Sequence, residues 1–293
     1  MAGLYNCRSM NSRGLLLPVV AVLTAMCSIQ FGASLAKGLF PALGPVGATT
    51  ARLLLAALLL GLCFRPWRGA SLRGHRAALV GYGAALGLMN LFYYLALERV
   101  PMGIVVAIEF LGPLAVAIGA SHRPVDFLWV LLALTGLVLL LPLQGGAAAL
   151  DLVGICYALL AGVGWALYIV FGTRAGAGHG LRSVALGMIV AAAIVLPIGA
   201  GVAGKALLNV SALPLALAVA VLSSALPYVL EMYAMTRMPT RAFGIFMSVE
   251  PAIAALFGLA LLGERLSPLQ GVAIGCVMLA SFGSALSSAR SGA

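Results

Sequence analysis

Seven acids in 293 residues are few enough to take one at a time. Asp126, Asp151 and Glu264 flank long apolar runs, and the first two fall where a helix N-terminus favours a carboxylate. Glu98 stands beside Arg99 at the end of another run. Glu109, Glu231 and Glu250 differ from these, because each lies inside an apolar run, as does Arg52. At the centre of a bilayer such a residue costs roughly 2.5–3.5 kcal/mol on insertion scales, so it must face a bundle interior or a wet cavity. A carboxylate in that setting can exchange a proton near neutral pH or hold an ammonium group. Arg52 is expected to pair with a carboxylate. The competing reading is structural, a buried ion pair or hydrogen bond that only joins helices. Glu250 carries that reading most heavily, because the Pro251 that follows it suggests a helix cap.

Polar and aromatic side chains gather in three of the runs: Asn90, Tyr93 and Tyr94, then Trp165 and Tyr168, then Tyr228 and Tyr233. Some suit the aromatic belt of a membrane interface. Asn90, Tyr94 and Trp165 lie deeper and are candidates to line a pocket. Pro113 and Pro251 sit within two further runs. Proline removes a backbone donor and clashes with the preceding turn, so each marks a helix break. Freed carbonyls at membrane depth are tolerated only against protein or a wet cavity, and paired interruptions are a sequence pointer to a transport site.

Several chemistries are excluded by what is missing. Gly199 to Ala206 is the nearest approach to a phosphate-binding loop, and it lacks the Ser or Thr that would hold magnesium. Neither HExxH nor GxSxG occurs, and His75, His122 and His179 all fall between apolar runs. Cys7, Cys27, Cys63, Cys156 and Cys276 form no CxxC pair, so they read as small packing residues and not as metal ligands. No cofactor or metal is implied, and an enzyme is not expected. The net charge of +10 does not point to nucleic acid, because the basic residues are scattered between apolar runs instead of forming a patch.

The elements that must position these side chains are membrane helices. With 63% hydrophobic and 8% charged residues, little is left over for a soluble domain. A bilayer span needs roughly 20 apolar residues. Ten runs approach that length: 14–35, 44–64, 77–97, 102–120, 126–143, 152–172, 182–202, 212–235, 241–262 and 268–288. The first is too long for the apolar region of a signal peptide and is taken as a span. Threading the runs through a membrane puts Arg8, Arg13, Arg65, Arg68, Arg73, Arg76, Arg123, Arg174, Arg182, Arg237, Arg241 and Arg290 on one face. Only Lys37, Arg99, Lys205 and Arg265 fall on the other. A threefold excess of that kind predicts that both termini are cytoplasmic.

The chain also repeats itself. Arg99-Val100-Pro101 and Gly112-Pro113 match Arg237-Met238-Pro239 and Glu250-Pro251 at one constant offset, and Asn90 maps to Tyr228. With a slip of one residue, Gly136 maps to Gly275. Residues 14–143 and 152–288 therefore read as two five-helix copies. Five is odd, so the second copy enters from the opposite face, giving an all-α inverted repeat, a recurrent plan of secondary transporters.

A resemblance adds to this. Residues 25–37, Asn90 to Leu95, Pro101 to Ala117, Arg123 to Phe127, Glu231 to Arg241 and Met247 to Pro251 resemble the drug/metabolite transporter superfamily in its EamA branch. They are most similar to the threonine/homoserine exporters of bacterial inner membranes. The resemblance implies a 5+5 inverted bundle in that membrane, in contact with lipid, that exports small amino acids by alternating access driven by proton entry. A homodimer is compatible with it. Other metabolites or drugs are alternative cargoes, and a non-transporting membrane protein is the remaining alternative. The resemblance assigns no site residues. The candidates stay those given by burial cost and symmetry: Glu109, Glu231, Glu250, Arg52, Asn90, Tyr94 and Trp165, with breaks at Pro113 and Pro251.

Overall fold

The computed structural model describes residues 12–67, 76–119, 125–140, 151–176, 181–235, 237–238, 243 and 246–288. The three histidines, and Cys7, lie outside them. The described residues are helices and turns, with no strand among them. Among the described residues, each of the ten apolar runs is mainly helical. Six helical stretches are long and apolar enough to cross a membrane: Leu16–Lys37, Phe40–Phe64, Arg76–Leu97, Leu152–Ala175, Arg182–Leu208 and Val210–Ala234. Four shorter apolar ones are Met102–Val116, Phe127–Leu139, Glu250–Leu262 and Pro268–Ser284.

The helices are α1 (Ser12–Lys37), α2 (Phe40–Phe64), α3 (Arg76–Leu97), α4 (Met102–Glu109), α5 (Leu111–Gly119) and α6 (Val125–Leu140). After these come α7 (Leu152–Gly176), α8 (Leu181–Ala203), α9 (Leu213–Ala220), α10 (Leu226–Met235), α11 (Glu250–Leu262) and α12 (Pro268–Ser288). Breaks within the runs have local causes. In α2, Gly44 adopts φ 66, a left-handed conformation that glycine takes without steric cost, and Pro45 restarts the helix. The fourth run divides at Phe110, because Pro113 has no N–H to offer the Glu109 carbonyl four residues earlier. In the ninth run a turn at Ser248 and Val249 precedes α11, and Pro251 sits in the first turn of that helix.

The eighth run holds a break that the paired-proline argument did not reach. Between α9 and α10, Val221–Ala225 forms a wide π-type turn in which the Leu226 N–H reaches back to the Val221 carbonyl. Pro227 supplies the reason. A regular helix would satisfy the Ser223 carbonyl from residue 227, and proline has no donor. The orphaned carbonyls are taken by side chains from other helices instead. Ser28 Oγ donates to the Leu222 oxygen at 2.6 Å, and Arg52 Nη1 donates to the Ser223 oxygen at 3.2 Å.

Packing runs between distant parts of the chain. The helix α3 lies against α7 and α8, α2 against α8, α1 against α10, α4 against α11, and α6 against α12. Small residues allow these approaches. A Cβ on Gly87 would sit 3.1 Å from Ala191 of α8, and one on Gly136 would sit 2.8 Å from the Ala273 carbonyl of α12. Large apolar side chains cover the outside, among them Leu62, Phe127, Leu131, Leu134 and Leu256, as a lipid-facing surface requires. Cys27, Cys63 and Cys156 share that exposure. They pack on the outer, lipid-facing surface, since apolar residues in a membrane protein face outward as readily as inward.

Candidate functional site

One cavity of about 70 Å³ lies where α1, α2, α3, α4, α7, α10, α11 and the π-type turn converge. That is room for several waters, at about 10–15 Å³ each. Its charged walls are Arg52, Glu109, Glu231 and Glu250, and its polar and aromatic walls include Asn90, Trp165, Tyr168, Ser223 and Tyr228. Three carboxylates thus share a small space with one guanidinium.

Arg52 is almost wholly buried (2% exposed). The hydrogen bonds of its fork go to neutral acceptors: Nη1 donates to Ser223 Oγ at 3.1 Å as well as to the Ser223 carbonyl, and Nη2 donates to Asn90 Oδ1. The Tyr94 ring lies under the guanidinium, 4.5 Å from it to the ring centre. Among the described residues, no carboxylate lies within ion-pair distance of Arg52. The expected carboxylate partner is therefore absent, because the proline-opened turn competes for the same donors. Asn90 is held in turn by donating to the Leu86 carbonyl at 2.8 Å and, at the long distance of 3.4 Å, to the Tyr228 hydroxyl.

The three carboxylates are held differently. Glu250 accepts from Gln30 Nε2 at 3.1 Å. Neither Glu109 nor Glu231 has a side-chain hydrogen bond among the described residues. The Glu109 backbone is pressed against α7, where a Cβ on Gly162 would sit 2.9 Å from the Glu109 carbonyl oxygen. Trp165, one turn on from Gly162, meets Phe110 edge to face with ring centres 5.2 Å apart.

Of the residues singled out from sequence, Glu109, Glu231, Glu250, Arg52, Asn90 and Trp165 all line the cavity. Tyr94 does not: it stands behind Arg52, and its neighbour Tyr93 takes the cavity wall. Pro113 and Pro251 lie outside the lining and act on the backbone near Glu109 and Glu250. Gln30 and Ser223 were missed. The one available signal was an uncharged polar residue in the middle of an apolar run, which is weaker than a charge.

The remaining acids with described side-chain contacts are at helix ends, as their positions suggested. Asp151 caps α7 by accepting from the Val153 N–H at 2.8 Å and pairs with Arg99 at 2.7 Å. The Arg99 guanidinium, and after it the Val153 N–H, hold the Asp151 carboxyl below the usual carboxylate range. Glu264, in the segment between α11 and α12, accepts from Lys37 Nζ at 2.6 Å and from the Met102 N–H at 2.7 Å. No cluster of potential metal ligands exists among the described residues.

Comparison with known proteins agrees with this picture. The sequence signature described as "EamA-like transporter family" matches residues 152–286. The threonine/homoserine exporter RhtA of Escherichia coli (strain K12) is 54% identical over 270 residues, covering 92% of each chain. The protein of that name from Salmonella typhimurium (strain LT2) is also 54% identical, over 94% of this chain and 93% of its own. An uncharacterized inner membrane transporter of Escherichia coli (strain K12), YedA, is 28% identical over 77% of each chain. One solved crystal structure superposes with a TM-score of 0.61 at 19% identity, over 94% of this chain and 99% of its own, which is a likeness of fold.

Proposed function

The chain belongs to the EamA-like transporter family, and on that footing we propose that it exports small amino acids of the threonine and homoserine kind across the bacterial inner membrane. The cargo is carried over from relatives 54% identical along nearly their whole length. The observation that carries the mechanism is the cavity, in which three carboxylates and one guanidinium face a shared space of several waters. An amino acid brings an ammonium for the carboxylates and a carboxylate for Arg52. The carboxylates outnumber the guanidinium, so the cavity takes up cations, and a proton on one carboxylate disfavours an ammonium beside another. Glu109, pressed against α7 and without a side-chain hydrogen bond among the described residues, is taken as the proton site.

Alternating access needs two halves that rock about the site, and residues 14–143 and 152–288 are proposed as inverted five-helix copies. The packing pattern supports this. Exchanging each span with the one five places on maps the α3–α7 contact onto the α1–α10 contact. The same exchange maps α2–α8, α4–α11 and α6–α12 each onto itself. Asn90 and Tyr228, equivalent in the two copies, meet each other, as residues near such an axis must.

The test is efflux of labelled solutes from proteoliposomes holding the full-length protein, with threonine, homoserine, other metabolites and drugs as the panel. Threonine and homoserine are expected to leave fastest, and faster still with protons entering. The Glu109→Gln variant, expressed at the wild-type level, is expected to lose the response to the proton gradient. If no solute moves, the transport reading is wrong. If efflux ignores the gradient, coupling is wrong, and a normal response in Glu109→Gln removes Glu109.

A further inference from the structure

Among the residues that line the cavity, four buried polar atoms have no hydrogen-bond partner: Gln30 Oε1, Glu250 Oε2, Arg52 Nε and Tyr93 Oη. The first two are acceptors on α1 and α11. The last two can donate and lie on α2 and α3. An unpaired polar atom out of water is costly, so atoms left this way in one place mark where a polar guest completes the structure. Here the guest must offer donors to the first pair and acceptors to the second.

The Gln30 amide is oriented by its own bond. An ionised carboxylate only accepts, so the group facing Glu250 Oε1 at 3.1 Å is Nε2, and this sends Oε1 in another direction. The Ser34 hydroxyl, donating to the Gln30 carbonyl at 2.8 Å, ties the same turn of α1. Gln30 is 1% exposed and Glu250 4%. Gln30 thus donates through Nε2 to Glu250, and two oxygens, its own Oε1 and Glu250 Oε2, are left for a group that donates. An ammonium group is that guest, with three N–H bonds and no lone pair.

We infer that Gln30 and Glu250 form the amine end of an oriented amino-acid site, with Arg52 and Tyr93 forming its carboxylate end. The inference rests on the transport reading and deepens it. It assigns the amine to a pair in which one member carries no charge, and it leaves Glu109 to the proton. Gln30 is then a specificity-determining residue, selecting solutes with a free amine.

The experiment is counterflow of labelled threonine in proteoliposomes, competed by unlabelled threonine, N-acetylthreonine and threonine methyl ester. Wild-type protein is expected to need at least tenfold more of either analogue than of threonine. Gln30→Leu is expected to raise the threonine KM at least tenfold, with kcat changed less than threefold, and to bring N-acetylthreonine within about threefold of threonine. Its preference over the methyl ester is expected to persist. Tyr93→Phe is expected to do the reverse, narrowing the ester preference and keeping the N-acetyl one. Gln30→Asn keeps the amide but withdraws it by one methylene, and serves if the leucine variant does not insert; it is expected to weaken the amine preference alone. Full discrimination against N-acetylthreonine in the Gln30 variants, or loss of kcat at unchanged KM, overturns the inference while wild-type counterflow still upholds transport. Absence of wild-type counterflow removes both.

Discussion

Arg52 illustrates what a single side chain does in this bundle. Its planar fork spans two acceptors on different helices, the Ser223 carbonyl with its hydroxyl and the Asn90 amide oxygen, while Tyr94 supports its face. Lysine has one compact ammonium and cannot span both. Arg52→Leu leaves both acceptors unpaired at about 1–3 kcal/mol each. It is expected to lower the detergent-solubilised Tm by several degrees and abolish transport. Arg52→Lys is expected to recover most of the Tm and little of the transport, and equal behaviour of the two variants would remove the fork argument. The burial cost of Arg52 was legible in the sequence; its partner was not, because the acceptor is a backbone carbonyl released by a proline 175 positions away. Asp151 is the opposite case, legible from its place before an apolar run. Its carboxyl is held low by Arg99, so its contribution to stability is present above the unfolded carboxyl's titration and is lost as pH falls through the folded one. Asp151→Asn is therefore expected to lower Tm slightly at pH 7 and to leave it unchanged in strong acid, read by thermal melts at the two pH values.

At the scale of the element, run length and flanking prolines located the helices well. Observed α3, α8 and α12 lie within one residue of the apolar runs at each end. Internal breaks were less legible. A proline reveals that a carbonyl is freed but not which of two compensations follows. At Pro113 the helix stops at Phe110 and starts again, whereas at Pro227 the helix widens into a π-type turn whose carbonyls Ser28 and Arg52 satisfy. The choice depends on what neighbouring helices present, and Gly32 of α1 fits against the turn so closely that a Cβ there would sit 2.8 Å from the Ser223 nitrogen. Pro227→Ala returns an N–H to the Ser223 carbonyl and allows a regular helix. The variant is expected to melt higher and transport more slowly, since the turn that holds Arg52 and precedes Tyr228 and Glu231 tightens. Unchanged transport would show the π-type turn to be a packing detail. Gly162→Ala is expected to slow transport by displacing the Glu109 backbone, with proteoliposome efflux as the measure.

Across the whole molecule, the site lies between elements of both proposed halves, so opening it to one side requires contacts between them to part. A two-point polar tie between them lies at Glu264. This carboxylate belongs to the second half and grips the first at two points, the Lys37 ammonium at the end of α1 and the Met102 N–H at the start of α4. The α4 dipole favours a negative charge at that position, and the side chains are only 24% and 13% exposed, so water screens the pair incompletely. With cytoplasmic termini, as the basic residues predict, α1 ends and α4 begins at the outer face. In the proposed alternating-access cycle the tie bolts the outward exit and is broken once per turnover. Glu264→Gln keeps an acceptor for Met102 but loses the ion pair, and so is expected to favour the outward-open arrangement. The measurement places a cysteine at Ala33, a buried wall residue of the cavity, in a chain whose five native cysteines are replaced. Labelling of that cysteine by an impermeant maleimide added outside is expected to run several-fold faster in Glu264→Gln, and equally fast in Lys37→Met, which breaks the pair from the other side. The double variant is expected to add nothing, because one bond can be lost only once. Unchanged labelling in both single variants would make the tie a fixed strut, and the exit would have to open elsewhere.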